Sequence, residues 1–129
     1  MANLEQTATD LYQAGRKAME SGETEAAAGL FRASVELCPH FKTLELLGEI
    51  LLQSEGATTE TILALAAAAG LGSRNFRSLF LLAKALAMRG DIDGAIARLD
   101  LAIEFQPTFK KAIEFRGELM ARQTGATPS

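Results

Sequence analysis

Apolar residues recur every three to four positions along most of the chain, the spacing of a single helix face. Leu4, Ala8, Leu11, Ala14, Gly15 and Ala18 form the first such stripe and predict a helix over about 3–20. Ser21-Gly22 ends it, because glycine accepts the left-handed conformation at a helix C-terminus. A second helix is expected over about 23–37, with Ala26, Ala27, Leu30, Phe31, Ser34 and Leu37 facing inward. Pro39 stops it and biases Cys38 away from helical geometry. The third, over about 41–54, carries Leu44, Leu47, Gly48, Leu51 and Leu52, and Gly56 breaks it. Thr58 or Thr59 caps a fourth that reaches about Ala69, where Gly70 and Gly72 end it. A fifth, over about 74–88, presents Phe76, Leu79, Phe80, Leu82, Ala83, Leu86 and Ala87. The sixth runs over about 91–105, capped at Asp91 and stopped by Pro107. In the seventh, over about 108–122, Ile113, Gly117 and Met120 are expected to face in. The closing stretch 124–129, small and polar, reads as a flexible tail. No stretch alternates apolar and polar residues for long, so the pattern predicts an all-α chain.

The stripes repeat. Gly22, Gly56 and Gly90 are 34 positions apart each time, and so are Phe31, Leu65 and Leu99, and Ser34, Ala68 and Ala102. Pro39 and Pro107 lie two such units apart. The even-numbered helices therefore share one register. The odd-numbered ones slip slightly: Gly15, Gly48, Ala83 and Gly117 are separated by 33, 35 and 34 positions. Slips of one residue belong in loops, where they cost little. A repeat of this length builds a surface from stacked helix pairs, and three units are about the minimum for a stable stack.

Composition narrows the setting. Of 129 residues 48% are hydrophobic, many of them the helix formers Ala and Leu, which supplies the core of one domain. The net charge of −3 is too acidic for general nucleic-acid binding. The longest apolar run, Ile62–Ala69, falls far short of the roughly 20 residues that span a bilayer. The N-terminus shows no basic patch followed by an apolar run, and the single cysteine, Cys38, forms no internal disulfide. The expectation is a cytoplasmic protein with no membrane insertion.

On these positions the chain resembles the tetratricopeptide repeat family, whose 34-residue unit is a helix-turn-helix. Unit one, over about 8–41, carries Leu11, Ala14-Gly15, Ala18, Gly22, Ala27, Phe31, Ser34 and Pro39. Unit two, over about 41–75, carries Leu44, Leu47-Gly48, Leu51, Gly56, Leu65 and Ala68. It departs at Thr61, where Ala is usual, and at Ser73, where Pro is usual. Unit three, over about 76–109, carries Leu79, Leu82-Ala83, Leu86, Gly90, Ala95, Leu99, Ala102 and Pro107. The helix over about 108–122 resembles the solvating cap. The resemblance implies a right-handed superhelix of antiparallel helix pairs, about seven helices in a single domain over 1–129.

The resemblance also implies that the first helix of each unit lines a concave groove through its second, fifth, ninth and twelfth residues. Those rows are Thr9, Lys42, Arg77 and Lys111; Tyr12, Glu45, Phe80 and Glu114; Arg16, Glu49, Lys84 and Glu118; and Met19, Leu52, Ala87 and Ala121. The ninth-residue row alternates in sign. Helices about 8–10 Å apart let such side chains pair and zip the stack, each exposed pair contributing about 0–1 kcal/mol. The second-residue row is basic at three positions with no acid of its own. With Tyr12 and Phe80 beside it, it can receive an acidic or carboxylate-bearing peptide, or else stand as a solvated rim. Some members of the family clamp a C-terminal carboxylate; at the corresponding positions stand Tyr12, Arg16, Leu46, Arg77 and Leu81, and only Arg77 keeps that chemistry.

Catalytic and metal chemistry find little support. Cys38 and His40 flank Pro39, but a zinc site needs further ligands and no other Cys or His exists. Gly70–Arg74 precedes a helix without the phosphate-loop pattern and follows a helix, not a strand. The expected function is a non-catalytic adaptor or assembly factor, with no cofactor or metal, that grips a peptide or helix of a partner protein. The alternative is a small chaperone of this repeat type for a secreted or assembling client. The Ala-rich fourth helix carries few charges, so a weak homodimer through its outer face is allowed.

Overall fold

The computed structural model describes residues 3–125. It contains seven helices: α1 (Leu4–Glu20), α2 (Thr24–Leu37), α3 (Phe41–Ser54), α4 (Thr59–Leu71), α5 (Phe76–Met88), α6 (Ile92–Phe105) and α7 (Lys110–Gln123). No strand occurs among the described residues. Five starts are fixed by side-chain caps. Asn3 accepts from the Gln6 amide, His40 from Lys42, Thr58 from Thr61, Asn75 from Ser78 and Asp91 from Gly94. Each cap satisfies an amide that the helix itself leaves open. The tight turns inside the pairs sit on Gly22, Gly56 and Gly90, at φ of 76°, 81° and 85°. A Cβ is disfavoured in that region, which explains the strict spacing of these three glycines.

Packing follows the chain. α1 with α2, α3 with α4 and α5 with α6 form the closest pairs; α2 then meets α3, α4 meets α5 and α6 meets α7. Within each pair a large side chain of the second helix enters a gap in the first. Phe31 fills the space at Gly15, where an added Cβ would lie 2.6 Å from its ring, and Leu65 fills the space at Gly48, with 2.5 Å left. Leu99 meets Ala83 in the third pair. Phe31, Leu65 and Leu99 are fully buried. Buried polar groups are satisfied as well. Ser34 donates to the Ala8 carbonyl at 2.8 Å, tying α2 to α1. Thr61, which stands where Ala27 and Ala95 stand in the other pairs, donates to the Gly56 carbonyl at 2.8 Å, so its hydroxyl is accommodated.

Several faces differ from expectation. On α2, Ala26 and Leu37 are exposed while Ala28 is buried. Leu4 at the tip of α1 is also exposed. Gly70 lies inside α4, which continues to Leu71 and ends at Gly72. α5 begins at Phe76 and not at Arg74, because the Asn75 cap fixes its first turn. On α7 the inward residues are Ala112 and Leu119, whereas Gly117 is exposed and Met120 half-buried. Ile113 is 46% exposed; its counterparts Leu44 and Leu79 are 6% exposed. The reason is that no further helix packs on that side of α7 among the described residues, so register positions that meet a second helix elsewhere meet solvent here. Thr124 and Gly125 form the turn after α7, and the rest of the expected tail lies outside the described residues.

Candidate functional site

The first helices of the pairs present their free faces side by side. The side chains there are joined more tightly between α3 and α5 than the separate rows imply. Arg77 on α5 donates to Glu45 Oε1 at 2.7 Å and, through its other terminal nitrogen, to Glu49 Oε2. Ser78 Oγ donates to the second oxygen of Glu45, and Asn75 Nδ2 donates to Ser78 Oγ at 2.7 Å. A single guanidinium thus holds two carboxylates one turn apart on the neighbouring helix, the fork geometry suited to arginine. Partial burial works against the charge of Arg77. The hydrogen bond to Glu45 and the charges of Glu49 and Glu45 outweigh it, and its pKa is raised above the ordinary arginine value.

This network corrects two expectations about charge. The second-residue row is not free at its centre, since Arg77 is engaged by acids from the fifth and ninth rows. The ninth row does not zip within itself either. Glu49 turns to Arg77, and the Lys84 ammonium lies 5.6 Å from the centre of the Phe80 ring. Arg16 and Glu118 enter no ion pair among the described residues.

Two clefts open on these helices. The larger, about 780 Å³, lies between α3, α5 and the connection from α6 to α7. Of the expected contact residues it collects Glu49, Leu52, Arg77, Phe80, Lys84 and Lys111. Three half-buried rings line it: Phe109 packs edge-on to Phe76 at 5.3 Å and tilted against Phe80 at 5.1 Å. Exposed Lys84, Lys110 and Lys111 surround them. The smaller cleft, about 420 Å³, lies between α1, the end of α2 and the start of α3, and collects Tyr12 and Lys42 with Thr9, Cys38 and His40. Tyr12 rests against Phe31 at 6.1 Å. Arg16, Glu45 and Glu114 line neither cleft: Arg16 and Glu114 point to solvent, and Glu45 is tied into the α3–α5 joint.

Phe109 and Lys110 escape a scheme built on helix rows, because they sit where the α6–α7 connection enters α7. One signal marks the first of them. Phe109 follows Phe41 by two repeat lengths, and each stands two residues after its proline. The turn chemistry of the other candidates is already occupied. His40 Nδ1 accepts the Lys42 amide at 3.2 Å and its ring stacks on Phe41 at 4.9 Å, which aims it at α3. The N-terminus of α5 after Gly72 is capped by Asn75. No group of three or more His, Cys, Asp or Glu side chains converges as a metal set among the described residues.

No protein-family model matches the chain, and no curated protein sequence matches it. Solved structures do. The first tetratricopeptide domain of Spaghetti (RPAP3), bound to the HSP90 peptide SRMEEVD, superposes with a TM-score of 0.85 at 14% identity, over 95% of this chain and 96% of that one. MamA from Desulfovibrio magneticus RS-1 gives a TM-score of 0.82 at 22% identity, over 91% of this chain. This chain spans 66% of that MamA chain. YrrB, described as a tetratricopeptide protein with an unusual peptide-binding site, gives 0.82 at 21% identity, covering 91% of this chain and 60% of its own. At these identities the likeness concerns the fold: the chain has the all-α architecture of a tetratricopeptide repeat array.

Proposed function

We propose that the chain is a non-catalytic protein-interaction module, one domain of three repeats and a closing helix, which receives a peptide or helix of a partner protein on its concave face. The observation that carries this reading is the cleft of about 780 Å³ between α3, α5 and α7, apolar inside and cationic outside. An open site of this size, with an aromatic floor and polar groups around it, suits recognition. Peptide binding by RPAP3 and the peptide-binding site described for YrrB support the class of ligand.

The partner is recognised differently from a clamped C-terminal carboxylate. Arg77, the one residue that keeps the clamp chemistry, is taken up by Glu45 and Glu49. Affinity capture tests the reading. A variant carrying Lys84→Glu, Lys110→Glu and Lys111→Glu, with native helical content, loses the partner that the wild-type chain retains. Equal capture by both would rule out this face. Adaptor and chaperone separate by co-expression, since a chaperone renders an insoluble client soluble. Weak self-association through the outer face of α4, where Leu63 and Leu71 are 64% and 57% exposed, is decided by light scattering at high concentration.

A further inference from the structure

We infer that the occupant of the larger cleft is an internal peptide segment with an aromatic or large aliphatic side chain flanked by carboxylates. This rests on the concave-face reading and specifies its ligand. Three lysines, Lys84, Lys110 and Lys111, line the cleft, while its fourth cation, Arg77, is taken up by the carboxylates of Glu45 and Glu49. The whole chain, in contrast, carries a net charge of −3. A basic patch on an acidic protein focuses attraction on one place and selects acidic ligands there. Lys84, Lys110 and Lys111 enter no ion pair among the described residues, so their charges are available.

The apolar part of the ligand follows from the rings. Phe109 meets Phe76 at 5.3 Å and 73° and Phe80 at 5.1 Å and 58°, and all three rings stay half-buried. An edge-and-face arrangement of this kind offers both ring edges and ring faces, so a further aromatic or a large aliphatic group completes its burial. Lys84 over the Phe80 ring places a cation at the border of this apolar floor. A ligand therefore meets the rings and an ammonium within a residue or two along its own chain. No chain terminus is needed, because the clamp positions Leu46 and Leu81 are apolar, Arg16 does not line this cleft, and Arg77 is engaged.

The test is a fluorescence titration of the full chain with a labelled nine-residue peptide, a central Phe between two pairs of Glu, amidated at its C-terminus. Binding is expected, and it should weaken as NaCl rises from about 50 to about 500 mM. Replacing the four Glu by Gln, or the Phe by Ala, should each weaken it at least about tenfold, or about 1.4 kcal/mol. Lys84→Gln, a change at an exposed side chain, should weaken the Glu peptide more than the Gln peptide. Equal affinity for the Glu and Gln peptides overturns the inference. If both are then lost on Phe80→Ala, the concave reading stands and its ligand is neutral. Tighter binding of a single-stranded oligonucleotide than of the Glu peptide overturns the inference in favour of nucleic acid. No binding of either peptide by the correctly folded chain overturns it as well.

Discussion

On the wall between α3 and α4, Gly48 leaves a gap that Leu65 fills so closely that a methyl group at Gly48 would stand 2.5 Å from it. At the corresponding point of α7, Gly117 has nothing within 4 Å of where a Cβ would go. Both glycines occupy the same position in their helices and differ only in whether a second helix packs there. The contrast extends to the two faces of the whole array. Where helices meet, the repeat dictates size: small against large, with Gly15 and Phe31, Gly48 and Leu65, Ala83 and Leu99. On the free face of the first helices the same register carries Arg16, Glu49, Lys84 and Glu118 at equivalent positions. No packing rule constrains those, and individual chemistry appears there. The repeat thus accounts for the scaffold, and departures from the repeat mark the candidate site.

The largest way to break the comparison is to empty a gap that is filled. Leu65→Ala should cost about 2–5 kcal/mol in urea unfolding, the range for a fully buried leucine; a loss below about 1 kcal/mol would mean that the wall relaxes freely. The glycine pair comes next. Gly48→Ala should destabilise by about 1–3 kcal/mol through overpacking. Gly117→Ala should stabilise by about 0.5–1 kcal/mol, since alanine is the better residue in an open helix interior. Opposite signs in thermal melts support the contrast, and equal losses would show that α7 is packed on both sides.

The α3–α5 joint lies between the two faces. Arg77→Ala should cost about 1 kcal/mol, because it leaves Glu45, largely shielded from solvent, without its cation. Arg77→Lys should recover only part of that, since a point charge cannot fork to Glu45 and Glu49 together. The smallest effect belongs to the exposed pair Arg32–Glu60, 2.7 Å apart across α2 and α4. The hydrogen bond to Arg32 lowers the pKa of Glu60 below its ordinary value. Its contribution is therefore present above the ordinary carboxylate range and is lost as pH falls through the lowered value. Arg32→Ala should cost less than about 0.5 kcal/mol at neutral pH, and the difference from wild type should vanish in acid, as paired melts at the two pH values would record.

Much of this was legible in the chain. The spacing of Gly22, Gly56 and Gly90 marks three turns, and Phe31, Leu65 and Leu99 mark the wall, because close packing leaves few choices of size. The inward face of α7 was not, since repeat arithmetic assigns Gly117 and Ile113 a partner helix regardless of whether one follows. Gly70 reads as a helix end, yet α4 runs on to Leu71 and ends at Gly72, so the glycine stands exposed within the last turn. The concave face was legible as a list of residues and not as a set of contacts. Arginine reaches diagonally, so Arg77 joins two rows that periodicity keeps apart. Phe109 completes the cleft from a connection that helix periodicity does not describe.

The central claim is that the partner meets the concave face and not the outer wall. Site-specific photo-crosslinking in the native cell decides it, with the reactive residue placed at Phe80 in one variant and at Leu63 in another. The account predicts a discrete crosslinked partner from position 80 and none from position 63. The same partner crosslinked from position 63 and absent from position 80 would contradict it.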